Sequence, residues 1–515
     1  MPLLAVLLAL LPVIVIFLLL TWRRLAADMA GLIGWIVAVA VACLWFRTAP
    51  LVALRASAAG ILASLPISLV VVTSILQLSV MLETGAIARL VVLIRTVAAS
   101  DRAVQIMLVN IGFGTLLTAL GAVPVSILPP IMLALGYSSF TAIALPALGY
   151  DALCTYALLG VPVVVFARFV GQPVNEVAHW FARYMPVISS CIALGMLWIV
   201  GRWRLVARGC VPALLAGLTA GFTAIGMTAA KLVPITGVAA GLAVMLVMLL
   251  YLRLTGRRVV DRSGLTAADL ETERRMPLAV AVSPWLVLTC CSLLVNAPFL
   301  PLFDLFFNRL AMPVPVIPGA PEKLRLLWQA YFWILVSTLC ALPLLRPTRA
   351  QVAVALRKWA RRAPRPAFAA AIFFAIAFVI MHSGKDAAWQ LADASRNMVQ
   401  VIAGASATAF GRLYPAVAPF LGLLGGFISG SETSSIAMLT AIHLSTAQKI
   451  GAAGVVIAAA SGIGGGLASV ISPAKLQNAA ASIDRIGEET RVIGTAVVVA
   501  LAITAVCALL TLWWA

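Results

Sequence analysis

Apolar runs long enough to cross a lipid bilayer recur along this chain, and they limit its folding more than any other feature. Runs of about 17 to 25 residues match the thickness of a hydrocarbon core at the helical rise. They fall near 2–20, 30–46, 58–82, 103–121, 184–200, 209–230, 233–252, 278–296, 325–345, 366–382 and 491–513. Lipid cannot hydrogen-bond a backbone, so such runs read as helices. Composition agrees: 63% of the 515 residues are hydrophobic and 10% are charged, against about half and about a quarter in a soluble domain. The expected class is all-α, a polytopic transmembrane helical bundle of about 12–14 helices.

The charges set the orientation. Arg202, Arg204 and Arg208 form one basic loop. Arg253, Arg257, Arg258, Arg262, Arg274 and Arg275 form a second, and Arg346, Arg349, Arg357, Lys358, Arg361, Arg362 and Arg365 a third. Two spans separate each consecutive pair, so all three loops share one face, which the excess of Lys and Arg makes cytoplasmic. The Pro-rich, charge-poor stretch 297–324 then lies outside. The 346–365 stretch reads as a stop-transfer anchor, ahead of a basic helix on anionic lipid. Arg23 and Arg24 follow the first run instead of preceding it, the reverse of a cleaved leader. That run is therefore expected to be a retained helix with its start outside.

The formal net charge of +19 sits in these clusters, without the aromatic interleaving or basic face of a nucleic-acid binder. Nucleic acid is excluded as a partner. The eight cysteines are scattered, mostly inside apolar runs, with no metal-ligand spacing. No metal and no cofactor are expected.

Two apolar regions, 123–170 and 414–480, are cut by Gly, Pro, Ser and Thr. The first contains N-I-G-F-G-T-L-L-T-A-L-G-A-V-P-V-S-I-L-P-P (110–130) and L-P-A-L-G-Y-D-A-L-C-T-Y-A-L-L-G-V-P (145–162). The second contains G-L-L-G-G-F-I-S-G-S-E-T-S-S (422–435) and A-A-A-S-G-I-G-G-G-L-A-S-V-I-S-P (458–473). Irregular backbone at membrane depth is tolerated only within protein or around a cavity, and a matching pair in two halves points to a transport site. Helix N-termini left at such breaks present free N–H groups and a positive dipole end to an anion. The bland alternative is that the small residues only let helices pack closely. The reading divides the chain into 1–252 and 253–515, each half with one transport repeat, the two repeats inverted and built from broken helices and hairpins.

The wording at 419–478, P-F-L-G-L-L-G-G-F-I-S-G-S-E-T-S-S followed by S-G-I-G-G-G-L-A-S-V-I-S-P-A-K-L-Q-N, resembles the bacterial L-lactate permease family. Members carry a similar G-S-D-T-S-S stretch and a later I-S-P-Q, and Glu432 stands in the place of the Asp. A thinner likeness runs over 89–200, through L-G-V-P at 159–162. The resemblance implies a permease for lactate, glycolate or similar 2-hydroxy acids, with proton symport, in the inner (plasma) membrane. Its expected partners are the anion, a coupling proton and membrane lipid, and a homodimer is compatible with it. The family's first-half motif, an acid before a run ending in G-A-P, reads T-A-L-G-A-V-P here. Thr118 stands nearest the missing acid. A sodium- or proton-coupled carrier for another organic anion on the same fold is the alternative.

Individual residues follow from these breaks. Glu432 is an ionisable group in an apolar segment, where such groups are costly and functional by default, so it is the expected proton carrier. Asp151, the acid deep in the first half, is expected to share that coupling role. Substrate binding is assigned to Ser429, Gly430, Ser431, Thr433, Ser434 and Ser435, to Thr118 and Gly121, and to Ser469 and Ser472. Lys475 reads as a snorkelling lysine at a segment end, and Asp393 with Arg396 as a local helix pair. An enzyme is not expected. G-I-G-G-G at 462–466 has no preceding strand and no following Gly-Lys-Ser/Thr, and neither a Ser-His-Asp set nor H-E-x-x-H is present.

Overall fold

The computed structural model describes residues 3–23, 25–97, 101–121, 123–296, 300–483, 485 and 487–515. The chain opens with α1 (Leu3–Thr21), α2 (Ala27–Leu44) and α3 (Pro50–Glu83), followed by the short amphipathic α4 (Ala86–Thr96). Next come α5 (Arg102–Ala119), α6 (Pro124–Ala134), α7 (Ser139–Tyr150) and α8 (Ala157–Val170). α9 (Val174–Ala229) and α10 (Thr236–Leu254) end the first half. The second half has α11 (Ala267–Arg275), α12 (Ser283–Asn296), the strands β1 (Met312–Ile317) and β2 (Ala320–Leu324), and α13 (Ala330–Leu345). It continues through α14 (Arg349–Arg362), α15 (Pro364–His382), α16 (Met398–Phe410) and α17 (Tyr414–Ser429). α18 (Glu432–Ile450), α19 (Gly454–Leu467), α20 (Pro473–Ala481) and α21 (Glu489–Trp514) complete it.

Among the described residues, nine helical stretches are long and apolar enough to cross a membrane, and four shorter apolar helices accompany them. The protein is a multi-pass helical membrane protein. Proline starts several helices where its missing N–H costs nothing, at Pro50, Pro124 and Pro473. Glycine ends others: Gly430 and Gly451 take φ of 67° and 69°, the left-handed cap that a side chain would strain.

Ion pairs hold the basic face together as the charge pattern requires. Arg95 grips Asp269 with two bonds of 2.8 and 2.7 Å, Arg89 meets Glu273 at 3.1 Å, and Arg257 pairs with Asp101. The first two dock α11 against α4, and the third ties the loop after α10 to the start of α5. On the same face, Lys358 meets Glu83 at 2.5 Å and Arg365 meets Asp28 at 2.9 Å.

The structure departs from the sequence reading at three places along these elements. The 346–365 stretch is helix and not a plain anchor. α14 runs into α15 antiparallel to α3 over its full length: Gln351 donates to Glu83 O at 2.8 Å, Trp359 to Val72 O at 2.9 Å, and Gly60 lies against the backbone of Phe374 and Ala375. The runs 184–200 and 209–230, by contrast, are two helices as the sequence reading has them: Gly201 and Arg202 leave helical geometry inside α9, and its second limb folds back antiparallel on the first, with Gly217 against Ser190 and Gly221 against Pro186. Asp393 does not pair with Arg396 on a helix; it caps a short turn by accepting from Ser395 N at 2.8 Å, the local competition that Asp offers to helix. The outer stretch holds an antiparallel hairpin, favoured by β-branched residues around the Pro318–Gly319 turn. Glu322 on β2 pairs with Arg168 at the end of α8.

The glycine-rich wording of the second half serves close packing in part. A side chain at Gly422 would collide with the backbone of Ser461, one at Gly426 with Gly465, and one at Gly464 with Pro419. The α17 and α19 backbones therefore touch, the arrangement that small residues permit in lipid.

Gly422→Leu should cost about 1–3 kcal/mol or more by overpacking and lower the melting temperature in detergent. Gly494→Leu on α21, with open space beside it, should leave it unchanged. At the basic face, partial burial would raise the Asp269 carboxyl, but bonds from Thr266 and Arg95 outweigh it and hold the group below its ordinary value. A depressed carboxyl stabilises the folded contact above its unfolded value and loses that contribution as pH falls through the folded one. α11 should therefore stay protected from hydrogen exchange at neutral pH and open in acid below pH of about 4. Asp269→Asn should open it at neutral pH.

Candidate functional site

Two helices are interrupted deep in the protein. α7 ends at Tyr150, and residues 151–156 form a tight turn in which Leu153 leaves helical geometry. The chain then takes three consecutive left-handed residues, Leu158 (φ 53°), Leu159 (φ 58°) and Gly160 (φ 84°), before the helix resumes. Each left-handed leucine costs about 1–2 kcal/mol. In the second half α19 stops at Leu467, residues 468–470 form another tight turn, and α20 starts at Pro473. The two breaks lie against each other: α19 packs on 151–156, and α7 on 468–470.

Glu432 stands where these pieces meet. Ser431 caps α18 by accepting from Ser434 N at 3.3 Å, which leaves Glu432 in the first turn. An acid there is favoured by the helix dipole. Its side chain is 2% exposed. Oε1 accepts from Thr155 Oγ1 at 2.7 Å, and Oε2 has no hydrogen-bond partner in the protein. Gly466 allows the approach, since an added Cβ would stand 2.9 Å from Oε2. One carboxyl group thus joins the two halves.

Asp151 lies 5% exposed at the first break, with no hydrogen-bond partner on either oxygen. Ser469, Val470, Lys475 and Glu432 surround it electrostatically. Lys475 does not snorkel. Its Nζ lies 2.5 Å from Ser469 Oγ and 3.8 Å from the centre of the Tyr150 ring. Ser472 Oγ is buried without a partner and faces Gly430 at 3.3 Å from an added Cβ. The amide-rich starts of α18 and α20 therefore adjoin. Two acids, one ammonium and several hydroxyls share a space where an unpaired charge costs several kcal/mol.

The other residues singled out from sequence have local partners. Ser429 Oγ donates to Gly425 O at 2.8 Å and to Ser431 O at 3.0 Å, and Ser435 Oγ to Gly422 O at 3.1 Å. Thr433 and Ser434 are buried in the first turn of α18. In the first half, Thr118 Oγ1 donates to Gly114 O at 2.8 Å. Gly121 (φ 84°) is packed by Ser74, Leu158 and Ile334. The structure thus brings Glu432, Asp151, Ser469, Ser472 and Gly430 together, holds Gly121 against α3, α8 and α13, and ties the Thr118 hydroxyl to its own helix.

Sequence reasoning gave no role to Tyr150, Cys154, Thr155 or Gly466, and read Lys475 as a snorkelling lysine. Lys475 carried a readable signal: it lies two residues past Pro473, in the first turn of a helix, where the macrodipole opposes a cation. A lysine so placed needs another reason to be there. The hydroxyl of Tyr414 bonds His443 Nδ1 at 2.7 Å, and His443 Nε2 bonds Ser461 Oγ at 2.7 Å. This buried chain ties α17, α18 and α19 together. Among the described residues, no group of three or more His, Cys, Asp or Glu is placed to hold a metal ion.

The profile of one family, described as L-lactate permease, matches residues 5–515. Among curated proteins, the glycolate permease GlcA of Escherichia coli K12 is 24% identical over 99% of this chain and 95% of its own length. The L-lactate permease of Bacillus subtilis 168 is 24% identical over 95% of this chain and 92% of its own. The L-lactate permease of Salmonella typhimurium LT2 is 24% identical over 94% and 91%.

Thr155→Val should leave the Glu432 carboxyl without its one direct donor and destabilise the protein by about 1–3 kcal/mol. In the double variant with Glu432→Gln the loss should not add. A double-mutant cycle of melting in detergent measures the coupling, and strict additivity would remove the bond from the account.

Proposed function

The chain belongs to the L-lactate permease family, and on that premise we propose a secondary active transporter of small monocarboxylates such as lactate or glycolate. It couples uptake to protons across the inner membrane. The carrying observation is Glu432, buried, bonded through one oxygen to Thr155 and unpartnered on the other, beside Asp151 and Lys475.

The charges suggest a stoichiometry. Asp151, Glu432 and Lys475, all ionised, sum to −1. A bound monoanion alone would bring the space to −2, in a medium where that is costly. One proton on Glu432 returns the sum to −1, so one proton per anion keeps the site's charge constant. In this reading Lys475 and the amide starts of α18 and α20 receive the carboxylate, Ser469 and Ser472 meet the 2-hydroxyl, and Glu432 carries the proton. No step calls for a reaction at the substrate, in keeping with a carrier that is not an enzyme.

The order of elements supports the repeat assignment. α3, α4, the pair α5/α6, the broken pair α7/α8 and the first limb of α9 have counterparts in α15, α16, α17/α18, α19/α20 and α21. We assign the two sets to inverted repeats, in halves 1–252 and 253–515. The sodium-coupled alternative draws on Thr118, which stands where an acid would.

Proteoliposomes should show saturable uptake of labelled lactate or glycolate that a proton gradient drives against the concentration gradient. Absence of uptake for both acids rejects the substrate class, and dependence on sodium at constant pH moves the coupling to that ion. Glu432→Gln should abolish accumulation while sparing exchange. Lys475→Met should raise KM about tenfold or more, the loss of a charge-assisted bond of about 1.5–3 kcal/mol.

A further inference from the structure

Lys475 and Asp151 are charged neighbours that do not join. Asp151 opens the turn that follows α7, and among the described residues neither of its oxygens has a hydrogen-bond partner. Lys475 stands in the first turn of α20, where the macrodipole opposes a cation. Its flexible stem could carry the ammonium to the acid, and opposite charges attract strongly in a dry interior. The ammonium goes elsewhere. It lies over the ring of Tyr150, 3.8 Å from the centre, and meets Ser469 Oγ at 2.5 Å.

The fold fixes that ring in place. Tyr150 is the last residue of α7. Gly149 before it lies against the backbone of Asn110 and the side chain of Met196, so the end of α7 is pressed onto α5 and α9. α20 packs on α7 in turn. Tyr150 and Lys475 are both half-buried, whereas Asp151 and Ser469 are buried.

A ring face and a carboxylate hold an ammonium with different results. The carboxylate would cancel its charge and occupy its donors. The ring attracts the cation through its quadrupole and leaves the charge uncancelled. An ammonium has several N–H donors, and among the described residues Ser469 Oγ is the acceptor it meets. We infer that Tyr150 is a positioning residue: its ring holds the Lys475 ammonium off Asp151, charged and open to an incoming carboxylate. That the carboxylate belongs to a small monocarboxylate rests on the function proposed above. Without the ring the ammonium turns to Asp151, and the pair closes the site to an anion. The ring does this and the hydroxyl does not, so phenylalanine serves as well.

The test uses the full chain in nanodiscs, with lysine carrying carbon-13 at Cε and the Lys475 signal assigned through Lys475→Met. Ring current should displace the Lys475 Cε protons upfield of their ordinary position in the wild type and in Tyr150→Phe. The displacement should vanish in Tyr150→Leu. Binding of labelled lactate or glycolate should weaken about tenfold in Tyr150→Leu and keep the wild-type Kd in Tyr150→Phe. Adding Asp151→Asn to Tyr150→Leu should win back most of the loss, since no carboxylate then captures the ammonium. An undisplaced Lys475 signal in the wild type overturns the inference, and so does undiminished affinity in Tyr150→Leu. Equal loss in Tyr150→Phe, or a double variant no tighter than Tyr150→Leu, overturns it as well. Should Tyr150→Leu fail to fold, the wild-type signal and the Tyr150→Phe affinity still decide. A wild type that binds neither acid would reject the proposed substrates, while the Cε signals still judge where the ammonium is held.

Discussion

A helix broken inside a bilayer leaves N–H and C=O groups that lipid cannot satisfy, and much of this molecule is arranged around that constraint. Both breaks are wrapped by other helices. Serines and threonines close part of the demand, as Ser429 and Ser435 do toward Gly425 and Gly422. Among the described residues, the oxygens of Asp151, Glu432 Oε2 and Ser472 Oγ stay unpartnered within the protein, all at the crossing of the two breaks. Unsatisfied polarity is costly in a dry interior, so its clustering there marks the place where a polar solute has most to offer.

Rigidity around that place comes from small residues and buried bonds. α17 and α19 touch backbone to backbone through Gly422, Gly426 and Gly464. The Tyr414–His443–Ser461 chain fastens α18 to both. Glu432 is thereby fixed at one end of a stiff hairpin, while its partner Thr155 belongs to the strained turn of the other half.

The sequence reading was strongest where one physical rule acts alone. Span length and the placement of Arg clusters depend on the bilayer and the membrane surface, so the spans, the basic face and the family wording at 419–478 were legible. Glu432 and Asp151 stood out because acids are rare in apolar segments. Lys475 was misread because position along the chain did not reveal which way its side chain turned. The β1–β2 hairpin and the α14–α15 rod escaped because a Pro-rich stretch and a basic stretch are each compatible with more than one local structure.

By itself the sequence determined that this protein lives in lipid, that its basic loops share one face, and that its helices break in two separate regions. These are matters of local hydropathy, charge and backbone conformation. Only the tertiary structure decided that Glu432 bonds Thr155, 277 residues away, that Lys475 faces Tyr150 and Ser469, and that Gly121 packs against α3, α8 and α13. Pairing between distant segments depends on how whole helices cross, and no local pattern encodes a crossing.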